Sequence, residues 1–386
     1  MSASAPLRVA VFSGNYNYVR DGANQALNRL VDYLLRQGVA VRVYSPTTDT
    51  PAFAPAGDLV SAPSIPFPQA RAEYRFSTGM NERVRDDLRR FAPDIVHVSA
   101  PDLLGHRAVS WAKARGLPVL ATMHTRFETY FQYYGLGFVV PVIEAILRRF
   151  YRRADKVLAP SASMADLMRE KGQGHEIGIW ARGIDTTIFT PARRSTAWRK
   201  TLGLADKEVV IGFLGRLVME KGLDVFVRAI RALEGRGVPH RVLVIGDGPA
   251  RDWFAAELPN AVFAGFQSGP DLGRAVASMD IFFNPSVTET FGNVTLEAMA
   301  CGIPVVAARA TGSSNLVADG ETGALITPGD AAGFADVLAA YCHDPARREA
   351  HGQAGLLASR AYDWDAVNAV VLEAYLHLVA GGALKR

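Results

Sequence analysis

Two glutamates bracket the segment Glu289-Thr-Phe-Gly-Asn-Val-Thr-Leu-Glu297. It follows an apolar run ending in Asn284-Pro285-Ser286 and opens a helical run that stops at Gly302. Gly292 marks the turn from strand to helix. The first N–H groups of a helix lack intrahelical partners, and the helix dipole favours negative charge there, so an anion binds well. The backbone of Thr290, Phe291, Gly292 and Asn293 is therefore a candidate phosphate and sugar cradle. Glu297, a turn or more into the helix, can accept from hydroxyls such as those of a ribose. Glu289 stands before the helix, beside the same anion. Two glutamates eight positions apart are common on solvated helices, so the pattern gains weight only from what lies beside it.

A second group is Gly215-Arg216-Leu-Val-Met-Glu-Lys221-Gly222, directly after an apolar run ending at Leu214. Arg offers a planar fork of donors and Lys a mobile point charge, a pairing suited to a diphosphate. Gly246-Asp-Gly248-Pro249 lacks the third glycine of a dinucleotide fingerprint and reads as a tight turn. His124, in Thr122-Met-His-Thr-Arg126, titrates near neutrality and suits hydrogen bonding or proton handling. A satisfied structural imidazole fits it equally well. Gly22, in Arg20-Asp21-Gly22-Ala-Asn24, permits close approach of a ligand to the backbone or simply turns the chain.

One stretch is chemically distinct. Residues 142–153 (VIEAILRRFYRR) place Val142, Ile143, Ile146, Leu147 and Phe150 on one helical side and Arg148, Arg149, Arg152 and Arg153 on the other. Such a helix suits an anionic lipid surface, or packs its apolar side in a core. The preceding aromatic cluster, including Tyr130 and Tyr134, is a candidate acceptor site.

The elements that must position these residues are short. Apolar, β-branched runs at 7–12, 39–44, 94–98, 118–122 and 156–159 alternate with amphipathic helical segments. The pattern falters near 183–200 and restarts with runs at 208–214, 241–245, 261–264, 280–284 and 304–308. Residues 45–70 are rich in Pro and Ala and read as loop. Alternating strands and helices imply parallel sheets covered on both faces. The expected division is 1–190, 191–365 and a terminal helix over 366–386 that returns to the first domain. Ligands of open α/β sheets bind beyond the strands' C-terminal ends, so a cleft between the domains is expected.

Composition bounds the class. With 386 residues, 49% apolar and 21% charged, the chain is an ordinary globular protein of two or three domains. No apolar stretch approaches a spanning helix, and the first residues lack a secretory pattern. Two cysteines, Cys301 and Cys342, exclude a disulfide scaffold and point to the cytoplasm. Residues 1–190 hold 23 basic and 17 acidic side chains, a charge of +6, leaving −2 for the rest of a chain of net +4. A basic first half fits an anionic surface or ligand. It contains no long basic run and no nucleic-acid motif.

Taken in order, GRLVMEKG, VIGDGP, Gly265-Phe266 and PSVTETFGNVTLEAMACGIPVVA resemble glycosyltransferase family 4, retaining nucleotide-sugar enzymes of the GT-B fold. The resemblance covers nearly the whole chain. HTRFETYFQYYGLG, the basic helix and LAPSASM look closest to the glycolipid-synthesising branch: α-mannosyl-, sulfoquinovosyl- and glucuronosyl-lipid transferases. The double glycine common in the family's first loop is replaced by Asp21-Gly22. The resemblance implies two Rossmann-like domains facing each other. It implies catalytic roles for His124, Arg216, Lys221 and Glu289. Donor contacts would come from Gly22, Gly215, Gly246 and Phe266 (near the base), from the Thr290–Asn293 backbone, and from Glu297 (on the ribose). It implies no cofactor and no metal. Asp363-Trp-Asp365 looks like the metal motif of another glycosyltransferase fold, but it precedes the last helix, where Asp365 is a natural N-cap. A UDP-hexose or UDP-hexuronic acid is the favoured donor, GDP-mannose the next, and a lipid at the inner membrane face the acceptor. The competing classes are a transferase, synthase or phosphorylase working on soluble sugars or polysaccharide precursors, and a non-enzymatic sugar-nucleotide binder.

Overall fold

Alternation along each strand dictates two buried faces. In β1 (Arg8–Phe12), Val9 and Val11 enter one core while Ala10 and Phe12 enter the other. A strand buried on both sides needs helices on both sides, and the computed structural model shows this arrangement twice. It describes residues 5–19, 21–66, 74–126 and 137–383. The chain forms two units: Met1–Gly183 together with Trp364–Arg386, and Ile184–Asp363.

The first unit holds β1 to β9: β2 (Ala40–Ser45), β3 (Asp58–Ser61), β4 (Ser64–Pro66), β5 (Arg75–Ser77), β6 (Ile95–Val98), β7 (Val119–Thr122), β8 (Lys156–Ala159) and β9 (Ile177–Ile179). Seven of them make a parallel sheet in the order β3-β2-β1-β6-β7-β8-β9, and β4 and β5 pair antiparallel. The loop expected over 45–70 is corrected: Asp58–Ser61 pairs with Arg42–Ser45 as an edge strand. Its only large apolar residues are Leu59 and Val60, too few to mark a strand by periodicity.

The last helix, Trp364–Ala383, belongs to this unit. Val371 and Tyr375 enter the core beside Val9, Val11 and Trp180. Arg36 binds the Asp365 carboxylate through two nitrogens, at 2.8 and 2.6 Å. Asp365 is therefore not the N-cap expected for it. The helix begins one residue earlier, and its carboxylate is committed to Arg36.

The second unit holds β10 (Val210–Leu214), β11 (Arg241–Ile245), β12 (Val262–Gly265), β13 (Ile281–Asn284), β14 (Val305–Ala308) and β15 (Gly323–Ile326), in the parallel order β12-β11-β10-β13-β14-β15. In each sheet the strand order reverses once, between β1 and β6 and between β10 and β13. At such a reversal the two following loops run to opposite sides and leave room for a ligand.

Candidate functional site

The reversal in the second unit brings two loops together. The loop after β10 carries Gly215 to Gly222, and the loop after β13 carries Pro285 to Gly292. Gly222, with φ +74°, lies so close to the neighbouring loop that a Cβ there would meet the Pro285 oxygen at 2.9 Å. Thr288 Oγ1 donates to the Glu220 oxygen at 3.4 Å. Lys221 Nζ donates to Glu289 Oε1 at 2.6 Å. Lys221 and Glu289, 68 positions apart, thus form one partly buried ion pair.

Gly292, at φ +96°, starts the helix Asn293–Ala300, and no side chain caps it. The helix therefore presents open N–H groups beside Glu289. Phe291 turns inward, buried against the Tyr362 ring, so its backbone and not its ring is available. Asn293 Oδ1 is buried without a partner among the described residues. Glu297 stands over a turn into the helix, and its pKa is pushed up to about 8, first by desolvation and second by Glu289. It therefore holds a proton at neutral pH.

Arg216 is exposed, with no side-chain partner among the described residues. Its loop is held from beneath. Leu217 N donates to the Asp247 oxygen at 2.9 Å and Ala250 N to the Leu217 oxygen at 3.0 Å. Gly246, at φ +134°, abuts Gly215, where a Cβ would stand 2.0 Å from the Gly215 oxygen. At Gly248 a Cβ would stand 2.4 Å from the Leu217 oxygen. Gly246-Asp-Gly248 is thus more than the tight turn expected: its glycines let one loop lie on another. Phe266, just past β12, is 69% exposed.

In the first unit, Gly22 is the first residue of the helix Gly22–Arg36, and Asp21 caps it by accepting from Asn24 N. His124 lies two residues past β7. Its Nδ1 accepts from Arg182 Nη2 at 2.9 Å and its Nε2 lies 2.9 Å from Thr122 Oγ1. Burial first, then Arg182 and His97, hold its pKa well below the ordinary value. Along the helix Val140–Tyr151, Leu147 and Phe150 enter the core, whereas Val142 and Ile146 are exposed with Phe138. The apolar side read from sequence is therefore divided. Arg148 Nε donates to the Lys171 oxygen and Arg153 Nη2 to Ser110 Oγ. The side chains of Arg149 and Arg152 have no hydrogen-bond or ion-pair partner among the described residues. Tyr130 and Tyr134 lie outside the described residues.

Two segments escaped the sequence reading. Thr311 Oγ1 donates to the Glu289 oxygen at 2.7 Å, and a Cβ on Gly312 would stand 2.5 Å from Glu289 Cβ. Arg182 holds His124. Thr311-Gly312 follows β14 as the other loops follow their strands, which was the available signal. Arg182 sits where the pattern faltered, and nothing in that stretch tied it to His124.

Family models for "Glycosyltransferase Family 4" and "Glycosyl transferases group 1" match residues 20–188 and 208–344. A GDP-mannose-dependent alpha-mannosyltransferase of Mycolicibacterium smegmatis is 34% identical over 371 residues, covering 94% of this chain and 95% of that protein. The chain belongs to glycosyltransferase family 4. Sulfoquinovosyl transferase SQD2 of Arabidopsis thaliana is 32% identical over 376 residues, 95% of this chain and 72% of the plant protein. Among solved structures, Anabaena Alr3699/HepE in complex with UDP-glucose superposes with a TM-score of 0.71 at 20% identity, covering 95% of this chain and 99% of that one. The GT-B expectation of two Rossmann-like domains is met, and so is the expectation of a glycosyltransferase working with nucleotide sugars. Among the described residues no helix is long and apolar enough to cross a membrane.

Proposed function

We propose that this family-4 enzyme moves a hexose or hexuronic acid from a UDP-sugar, or secondarily GDP-mannose, to a membrane lipid, with retention and an α-glycosidic bond. The observation that carries the donor half is the Lys221–Glu289 pair at the β10/β13 reversal, beside an open helix start and an exposed Arg216. Breaking the sugar–phosphate bond leaves positive charge on the ring and extra negative charge on the diphosphate. Arg216, Lys221 and the N–H groups of Asn293 and its neighbours stabilise the departing diphosphate, and the backbone donors among them are fixed before the reaction begins. Glu289 lies against the sugar ring and Glu297 takes the ribose hydroxyls. His124 contacts the transferred sugar. The acceptor attacks from the face the diphosphate leaves, and a diphosphate oxygen takes its proton. A trapped glycosyl-Glu289 adduct would overturn this same-face account.

The lipid half draws on the relatives' names and on the helix Val140–Tyr151. Phe138, Val142 and Ile146 form an exposed stripe beside Arg149 and Arg152, a combination that suits the anionic cytoplasmic leaflet. The enzyme then works as a peripheral protein on that face, without a cofactor or metal. The test is thermal-shift binding of UDP, GDP and ADP at equal concentration. A selective shift names the base, and transfer from sugars on that nucleotide is then compared between lipid and soluble acceptors. No shift with any of the three sinks the donor site, and transfer to soluble acceptors alone sinks the lipid half.

A further inference from the structure

The buried cluster around His124 carries an inference about how that residue works. Arg182 is 4% exposed, yet its guanidinium donates only to neutral acceptors among the described residues. These are the Trp180 oxygen at 3.0 Å, the Ala181 oxygen at 3.1 Å and His124 Nδ1 at 2.9 Å. It also lies over the Trp180 ring at 4.8 Å, and that ring meets His124 edge-on at 5.6 Å. A guanidinium has donors and no acceptor, so His124 Nδ1 must accept. The one ring proton of the neutral imidazole is therefore on Nε2, aimed at Thr122 Oγ1 2.9 Å away. Thr122 Oγ1 is in turn 2.9 Å from His97 Nε2, and His97 Nδ1 is 2.6 Å from Tyr375 Oη on the last helix.

We infer that Arg182 is a positioning residue that fixes His124 as a neutral imidazole carrying its proton on Nε2, so that His124 never serves the reaction as an acid or base. This rests on the reading that His124 contacts the transferred sugar. A second proton on His124 would have to sit on Nδ1, facing the Arg182 N–H at 2.9 Å, which geometry and like charge both forbid. The titratable groups facing His124 among the described residues are Arg182 and His97, with Tyr375 one step removed. Burial holds His97 neutral as well, at a pKa of about 3. Neutrality matters because the sugar ring gains positive charge in the transition state, and an imidazolium beside it would oppose that charge.

The test uses the full-length enzyme. In nitrogen-15 spectra of the histidine rings, with His124 assigned by its absence from His124→Gln, the wild type is expected to show a protonated Nε2 and bare Nδ1 from pH 5 to 8. A proton on Nδ1, or titration near the ordinary value of about 6.5, overturns the inference without any mutant of Arg182. Arg182→Gln is expected to release the ring, so that kcat acquires an acid limb, falling about tenfold per pH unit below an ordinary histidine pKa of about 6.5. Arg182→Lys, which keeps a buried donor and charge, is expected to restore the flat profile. An Arg182→Gln enzyme whose loss of kcat is the same at every pH also overturns the inference. The parent reading fails separately: if His124→Gln retains wild-type kcat and donor KM, His124 does not touch the sugar, whatever its tautomer.

Discussion

Lys221 Nζ lies 2.6 Å from Glu289 Oε1, across the two loops that follow the adjacent parallel strands β10 and β13. The ion pair is partly buried, with side chains 26% and 19% exposed, so water screens it less than a surface pair. A diphosphate arriving at Lys221 competes with Glu289 for the same ammonium. Glu289→Gln is therefore expected to tighten binding of the bare nucleoside diphosphate several-fold in calorimetric titration. Activity in the same variant should drop yet persist, since a positioning amide keeps part of the carboxylate's hydrogen bonding. Unchanged or weaker nucleotide binding would mean that the pair does not stand in the diphosphate's way.

Glu297 sets a pH dependence whose sign can be worked out. Its pKa rises from 4.5 in the free side chain to about 8 in the folded protein, through burial first and Glu289 second. Between those two values the folded state keeps a proton that the unfolded chain has lost. Stability from this group is thus complete below about 4.5 and is lost as the pH climbs to about 8. Glu297→Gln, neutral at every pH, should raise the melting temperature relative to wild type more at pH 8 than at pH 5. If ribose hydroxyls bind Glu297, they bind the ionised carboxylate more strongly, so nucleotide affinity of the wild type should rise over the same window and that of the variant should stay level. Parallel melting curves at both pH values would show that Glu297 is not protonated in the empty site.

Much of this site is legible in the sequence because strand ends and glycines leave local marks. Leu214, Ile245 and Asn284 end apolar runs, and the chemistry begins within a few residues of each. What the sequence does not expose is contact at long separation. The 68 positions between Lys221 and Glu289, and the 58 between His124 and Arg182, are bridged by sheet order alone. Edge strands are also hidden: β3 and β9 are short and only half-buried, so they show neither a clean alternation nor a continuous apolar run. The divided face of the helix Val140–Tyr151 has the same origin. Periodicity gathers Val142, Ile146, Leu147 and Phe150 on one side, and only packing separates the buried pair from the exposed one.

That division sharpens the membrane experiment. Arg148 and Arg153 already bond within the protein, whereas Arg149 and Arg152 are open to an anionic surface. A basic side chain near such a surface contributes about 1 kcal/mol. Arg149→Gln with Arg152→Gln should therefore weaken flotation on phosphatidylglycerol vesicles roughly 30-fold, and Arg148→Gln with Arg153→Gln by much less. Val142→Ser with Ile146→Ser should reduce binding to neutral vesicles as well. If removing all four arginines leaves flotation unchanged, this helix does not dock on lipid.

Gly312 gives the most stringent test of how Glu289 is aimed. Its φ of −70° suits any residue, so alanine brings no backbone strain there. The added methyl, however, would fall 2.5 Å from Glu289 Cβ and 3.0 Å from the Glu289 oxygen, which Thr311 Oγ1 also holds. Gly312→Ala must therefore push the Glu289 segment aside while leaving the sheet and its core untouched. A misplacement of about 1 Å at a reacting centre can cost about a hundredfold in rate, so kcat should fall by about that factor. Nucleotide affinity should change little, because Arg216 and the β10 loop are held from the opposite side by Gly246 and Gly248. Thr311→Val, which loses the hydrogen bond to the Glu289 oxygen and adds no bulk, should show a smaller loss in the same direction. Equal falls in nucleotide affinity and kcat would mean that the loop after β14 supports the whole donor site and not the carboxylate of Glu289 in particular.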